Sequence, residues 1–152
     1  MQENSLADRV QMLEDKMALK ELVDTFSLVS DRKDNVAQAS FFTENGTLIS
    51  IMGETTTTFQ GRKGIEEGFA AILEPLETVY HHNGQLLTTV NGHFATGYSY
   101  CLATLIGKED GRSYIRTIWA NYQDEYVKED DRWLIGKRIA TVAWEERQEI
   151  NH

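Results

Sequence analysis

The chain predicts an α+β domain in which N-terminal helices pack on a strongly bent antiparallel sheet. Three observations carry that expectation. The first third of the 152 residues repeats its apolar positions every three or four residues. From Val79 onward the chain reads as four long β segments joined by turns of a few residues, and connections that short make neighbouring strands antiparallel. Helices that precede such a run of strands segregate to one face of the sheet. With 41% hydrophobic residues and no proline- or serine-rich linker, residues 1–152 are expected to form a single domain.

The elements follow in order. Leu6, Val10, Leu13 and Met17 lie at spacings of four, three and four, which predicts one apolar packing face with Asn4 or Ser5 as its N-cap. Leu19, Leu22, Val23, Phe26 and Val29 form a second face out of phase with the first, so a break or bend is expected near Asp15. Asp31 and Asp34 close this region and open a short helix that carries Val36, Ala37, Ala39, Phe41 and Phe42. Glu44-Asn45-Gly46 reads as a turn, and TLISIMG with ETTTTFQ as a hairpin. GRKGIEEGFAAILEPL reads as a helix with Ile65, Phe69 and Ile72 or Leu73 inward, ended by Pro75. The β segments 79–90, 94–107, 113–128 and 132–144 complete the chain.

Two segments have readable faces. Over 94–106 the even positions are mostly large and the odd positions mostly small, so another layer can approach the odd face closely. Over 114–126 neither face is purely polar. The expectation is that helices cover one face of the sheet and a second copy of the chain covers the other, as a homodimer or homotrimer.

Composition narrows the function classes. Asp and Glu outnumber Lys and Arg by 24 to 15, for a net charge of −9. That balance argues against nucleic acid and anionic membrane surfaces as partners. Cys101 is the sole cysteine, which excludes an internal disulfide and a cysteine-based zinc site. No apolar run approaches the ~20 residues of a membrane span. MQENSLADRV has no signal-peptide pattern, so a cytoplasmic location is expected.

The stretch TVYHHNGQ at 78–85 sets two histidines side by side on a strand. Alternation sends one to each face, so the pair is not a metal site. Both faces of the segment are mixed, and alternation alone leaves open which histidine faces inward.

DRVQMLEDKMALKELVDTFSLVSDRKD, FFTENGTL, FQGRKGIEEGF, YHHNGQLLTTVNGHFA and YQDEYVKEDDRWLIGKR, with a final Trp144, together resemble the SnoaL-like group of the nuclear transport factor 2-like superfamily, from about Leu6 to Glu146. Among its members the chain is similar to scytalone dehydratase and hexachlorocyclohexane dehydrochlorinase. The resemblance implies a cone-shaped fold with a pocket at its open end. It places Asp31 at the end of the long helix, holding His81 on the first long strand, with His82 turned outward. It implies a lyase or isomerase of the dehydratase or polyketide-cyclase kind, which uses no cofactor and removes a proton beside the carbonyl of a small apolar or aromatic ligand. A histidine base suits that chemistry because imidazole titrates close to neutral pH, and a carboxylate on its second nitrogen fixes the tautomer.

Candidates to hold the developing oxyanion are Tyr98, Tyr100, Tyr122, Tyr126 and Asn121, with Trp119 and Trp144 as apolar wall. The pattern departs from scytalone dehydratase at three places. Thr104 or Leu105 stands where that enzyme has a second histidine, Ser30 precedes the aspartate in place of a tyrosine, and Tyr122 falls on its substrate-binding asparagine, with Asn121 one step away. Two other readings share the fold: a non-catalytic small-molecule-binding module, and a structural subunit like the small subunit of ring-hydroxylating dioxygenases.

Overall fold

Helix α1 (Leu6–Asp31) runs unbroken in the computed structural model, which describes residues 3–151. Ser5 caps it: its hydroxyl accepts from the Asp8 N–H and the Asp8 carboxylate accepts from the Ser5 N–H, both at 3.1 Å, a reciprocal capping box. The break expected near Asp15 is absent. Asp15 is buried in mid-helix instead, accepting from Lys128 Nζ at 2.9 Å and Trp133 Nε1 at 3.0 Å. The phase shift marks a change of surroundings along one continuous helix. Leu19, Leu22, Val23 and Phe26 enter the core, whereas Leu6, Val10, Leu13 and Met17 are exposed.

Asp34 caps the short helix α2 (Asn35–Ser40), accepting from the Ala37 N–H at 3.1 Å. Strand β1 (Phe42–Met52) and strand β2 (Thr55–Gln60) form the expected hairpin. Glu44-Asn45-Gly46 is no turn: it lies within β1, where the register against the neighbouring strand shifts between Phe42 and Thr47. A bulge of this kind absorbs turn-like residues without reversing the chain. Helix α3 (Gly61–Leu73) follows. Its Gly68 sits against Phe59, where a β-carbon would lie 2.5 Å from the ring.

Four long strands complete the fold: β3 (Leu76–Asn91), β4 (Phe94–Glu109), β5 (Arg112–Glu129) and β6 (Arg132–Glu149). Asp110-Gly111 and Asp130-Asp131 all have positive φ, the backbone of tight hairpin turns whose twist matches the strands. The sheet order is β2-β1-β6-β5-β4-β3. It is mixed rather than wholly antiparallel, because β1 pairs with β6 in parallel. The pairing joins the first strand to the last, and a parallel pair needs a long crossover, here supplied by all the elements between. Register shifts at Asn83/Leu86, Trp119/Ala120 and Glu125/Tyr126 curl the long strands round the helices.

The concave side holds two apolar clusters. One joins Leu19, Phe26, Phe42, Ile65 and Ile135; the other joins Leu73, Val79, Ala103, Leu105 and Ile118. The small odd face of β4 is buried, with Ala95, Ser99, Cys101, Ala103 and Leu105 inward. Gly97 belongs to that face, and a β-carbon there would lie 2.8 Å from the ring of Tyr126. The large even face, with Phe94, Tyr98, Tyr100 and Leu102, is exposed on the convex side. Among the described residues no helix is long and apolar enough to cross a membrane.

Candidate active site

A cavity of about 200 Å³ opens between the two clusters. Phe26, Leu48, Phe59, Phe69, Ile118 and Val142 give it an apolar wall. Its polar groups arrive from six elements: Ser30 from α1, Gln38 from α2, Ser50 from β1, His81 from β3, Arg116 and Tyr122 from β5, and Arg138 and Thr141 from β6.

Asp31, the last residue of α1, meets His81 across the helix–sheet interface. One carboxylate oxygen lies 2.6 Å from His81 Nδ1 and also accepts the His81 backbone N–H at 3.0 Å. The two bonds fix both the strand and the ring. A carboxylate accepts, so Nδ1 is the donor in this contact and Nε2 is the ring nitrogen left free of it. The side chains are 14% and 17% exposed, and His81 lines the cavity. Next to it Asn83 ties the strand to α1, donating to Asp24 at 3.1 Å and accepting from Ser27 at 3.0 Å. His82 points to the convex side.

Asp124 and Arg138 stand directly opposite each other on β5 and β6. Arg138 Nε donates to one carboxylate oxygen at 2.8 Å and Nη2 to the other at 2.9 Å, while the Tyr126 hydroxyl donates to Asp124 at 2.7 Å. Both charged side chains are buried. The guanidinium lies 4.1 Å over the Tyr122 ring and 4.6 Å over the Phe26 ring. Burial opposes its charge, but the adjoining Asp124 charge and hydrogen bonds outweigh that, and the pKa of Arg138 stands above its ordinary value. Burial raises Tyr122 and Tyr126 as well, followed by the neighbouring Cys101 for Tyr122 and the Asp124 charge for Tyr126, so both remain neutral hydroxyl donors. Burial likewise holds the Cys101 thiol up. At the cavity wall Arg116 Nε donates to Glu145 at 2.7 Å.

Of the side chains expected in the cavity, Tyr122 lines it and Tyr126 is buried beside it in the Asp124 fork. Tyr98, Tyr100, Trp119 and Asn121 line a separate groove on the convex side, and Trp144 is exposed opposite Trp119. Alternation explains the split. Over 116–126 the even positions of β5 face inward and the odd positions outward, while on β4 the even positions face outward. Arg138, Gln38 and Arg116 went unremarked in the sequence as cavity groups. The legible signal for Arg138 is an opposite charge in register on the next strand, beside two tyrosines of one face. Gln38 carries no such signal. Among the described residues no group of three or more His, Cys, Asp or Glu is arranged to hold a metal ion.

Residues 11–139 match the family model described as SnoaL-like domain. The fold is similar to that of a hexachlorocyclohexane dehydrochlorinase of type 2 (TM-score 0.79, 20% identity, 95% of each chain covered). It is also similar to a candidate scytalone dehydratase from Novosphingobium aromaticivorans (TM-score 0.77, 19% identity, 91% of each chain). A protein from the same organism, described as NTF2-like with a cystatin-like fold, is similar at TM-score 0.72 and 18% identity, covering 93% of this chain and 92% of that one. No curated protein sequence matches the chain.

Proposed function

The chain belongs to the SnoaL-like domain family, and from that premise we propose that it is a cofactor-free lyase or isomerase acting beside the carbonyl of a small apolar or aromatic compound. The contact of Asp31 with His81 at 2.6 Å, on the wall of a largely apolar cavity, carries this reading. It meets the geometric requirement for a base and the group that orients it. Asp31 fixes the tautomer and stabilises the imidazolium that forms. His81 Nε2 takes a proton from the carbon next to the carbonyl. The C–H electrons form the enolate double bond, and the carbonyl electrons move to oxygen. Arg138 Nη1, the nitrogen outside the Asp124 fork, and the Tyr122 hydroxyl are the donors proposed for that oxygen, and such donors are worth about 10²–10³ in rate. Leaving-group loss, reprotonation elsewhere or ring closure would then give elimination, isomerisation or cyclisation.

The test is a panel of ring and aryl ketones incubated with the protein, with products read by NMR. Turnover by wild type and its loss in Asp31→Asn and His81→Ala are expected. Ligand binding with no turnover of any ketone would leave the binding-module reading. Self-association as a homodimer or homotrimer belongs to the same proposal. The exposed Tyr98, Tyr100, Trp119 and Trp144 of the convex face support it, and light scattering that finds only a monomer would remove it.

A further inference from the structure

Gln38 is 1% exposed and lines the cavity, yet its Oε1 has no hydrogen-bond partner among the described residues. Its backbone is satisfied, with the N–H donated to the Asp34 carbonyl at 2.9 Å, and the Asp34 cap fixes the helix that carries it. Placement is therefore settled and the amide is left over. Buried polar groups are nearly always paired, and an unpaired one destabilises the fold. The charged groups of the cavity are already engaged: His81 with Asp31, Arg138 with Asp124, Arg116 with Glu145.

We infer that Gln38 is a specificity-determining residue that selects ligands bearing a hydrogen-bond donor, a hydroxyl above all, on an otherwise apolar ring. The inference rests on the cavity being a ligand site, as proposed above. An acceptor without a donor is completed by a ligand O–H or N–H; a ketone oxygen or an anion cannot complete it. A hydroxyl, which both donates and accepts, pairs with the amide whichever way its oxygen and nitrogen are turned. Size fits the same class. A dry cavity of about 150 Å³ holds benzene, so about 200 Å³ suits a ring with small substituents. Replacing the donor with a methyl group of similar volume strands the buried amide again, which is how sites built around a hydroxyl reject its apolar analogue.

The experiment is equilibrium binding by titration calorimetry, using 3- and 4-hydroxyacetophenone against 3- and 4-methylacetophenone, for wild type and Gln38→Met. The quantity read is the ratio of hydroxyl to methyl affinity. Wild type is expected to prefer at least one hydroxyl isomer by about tenfold, and Gln38→Met to lose that preference while binding the methyl compounds at least as well. Its ligand-free melting temperature is expected to equal or exceed that of wild type, since an unpaired amide has been removed. Gln38→Leu gives the same readout if the methionine variant does not fold. Wild type binding both compounds of each pair equally, or an unchanged ratio in the variants, overturns the inference alone. Wild type binding none of the four overturns the inference together with the ligand-site reading beneath it.

Discussion

Asp124→Asn is the substitution that most sharply tests how the cavity is built. The native carboxylate takes two bonds from Arg138, at 2.8 and 2.9 Å, and one from the Tyr126 hydroxyl at 2.7 Å. The Arg138 and Asp124 side chains are 2% and 0% exposed. Asparagine keeps the shape but replaces one acceptor oxygen with a donor, so at least one bond is lost. It also leaves a buried guanidinium without a counter-charge, and arginine does not shed its proton to escape. Breaking a buried pair from one side costs about 3–5 kcal/mol, a large share of the ~5–15 kcal/mol a domain has. At roughly 2–4 °C per kcal/mol for this size, the melting temperature falls by about 6–20 °C. Urea denaturation followed by far-UV circular dichroism, with a thermal melt, measures it. The double variant Asp124→Leu with Arg138→Met removes both charges and is expected to cost less than Asp124→Asn alone. An Asp124→Asn variant within about 1 kcal/mol of wild type, or a double variant that costs the sum of the two single changes, would refute the reasoning.

Other outcomes follow from the same contacts. Gly97→Ala drives a β-carbon to 2.8 Å from the buried Tyr126 ring, and overpacking of this kind costs about 1–3 kcal/mol in a urea titration. Asp15 has its pKa lowered: burial pushes it up, but the Lys128 and Trp133 hydrogen bonds and the Lys128 charge outweigh that. Its contribution to stability is complete above the unfolded value near 3.8 and is lost as pH falls through the lower folded value. Asp15→Asn should therefore lower the urea midpoint at neutral pH and flatten its decline in acid; parallel curves for variant and wild type would contradict this. Arg138→Lys keeps a charge but loses the planar fork, and turnover of any accepted ketone should drop by about 10²–10³ with the protein still folded.

Most elements of the fold were legible because their signals are local. Period and turn residues located the helices and the four long strands, and the small face of β4 marked the side that other layers approach. The break expected at Asp15 failed because periodicity records which positions are apolar, not what they meet. A continuous helix whose surroundings change shifts phase just as a broken one does. The turn at Glu44-Asn45-Gly46 failed because a bulge uses the same residues. The parallel β1–β6 pair is set by the whole chain, and no local pattern encodes it. In the cavity, Asp31 and His81 were nameable because each stands in a recognisable motif. The aromatic residues of β4 and the odd face of β5 misled because an exposed apolar face and a pocket wall have one composition. Gln38 was invisible because a glutamine on a short helix reads as surface until burial is known.

The central claim is that His81, held by Asp31, removes a proton beside a carbonyl. Hydrogen–deuterium exchange tests it without knowledge of the natural substrate. 3- and 4-hydroxyacetophenone carry a methyl group next to the carbonyl, and its exchange in D₂O is read directly by proton NMR. Wild type is expected to accelerate the exchange above buffer, with His81→Ala losing about 10²–10⁴ of that rate and Asp31→Asn falling between them. Exchange that is not accelerated while the ketone is bound, or is accelerated equally by His81→Ala, would contradict the account.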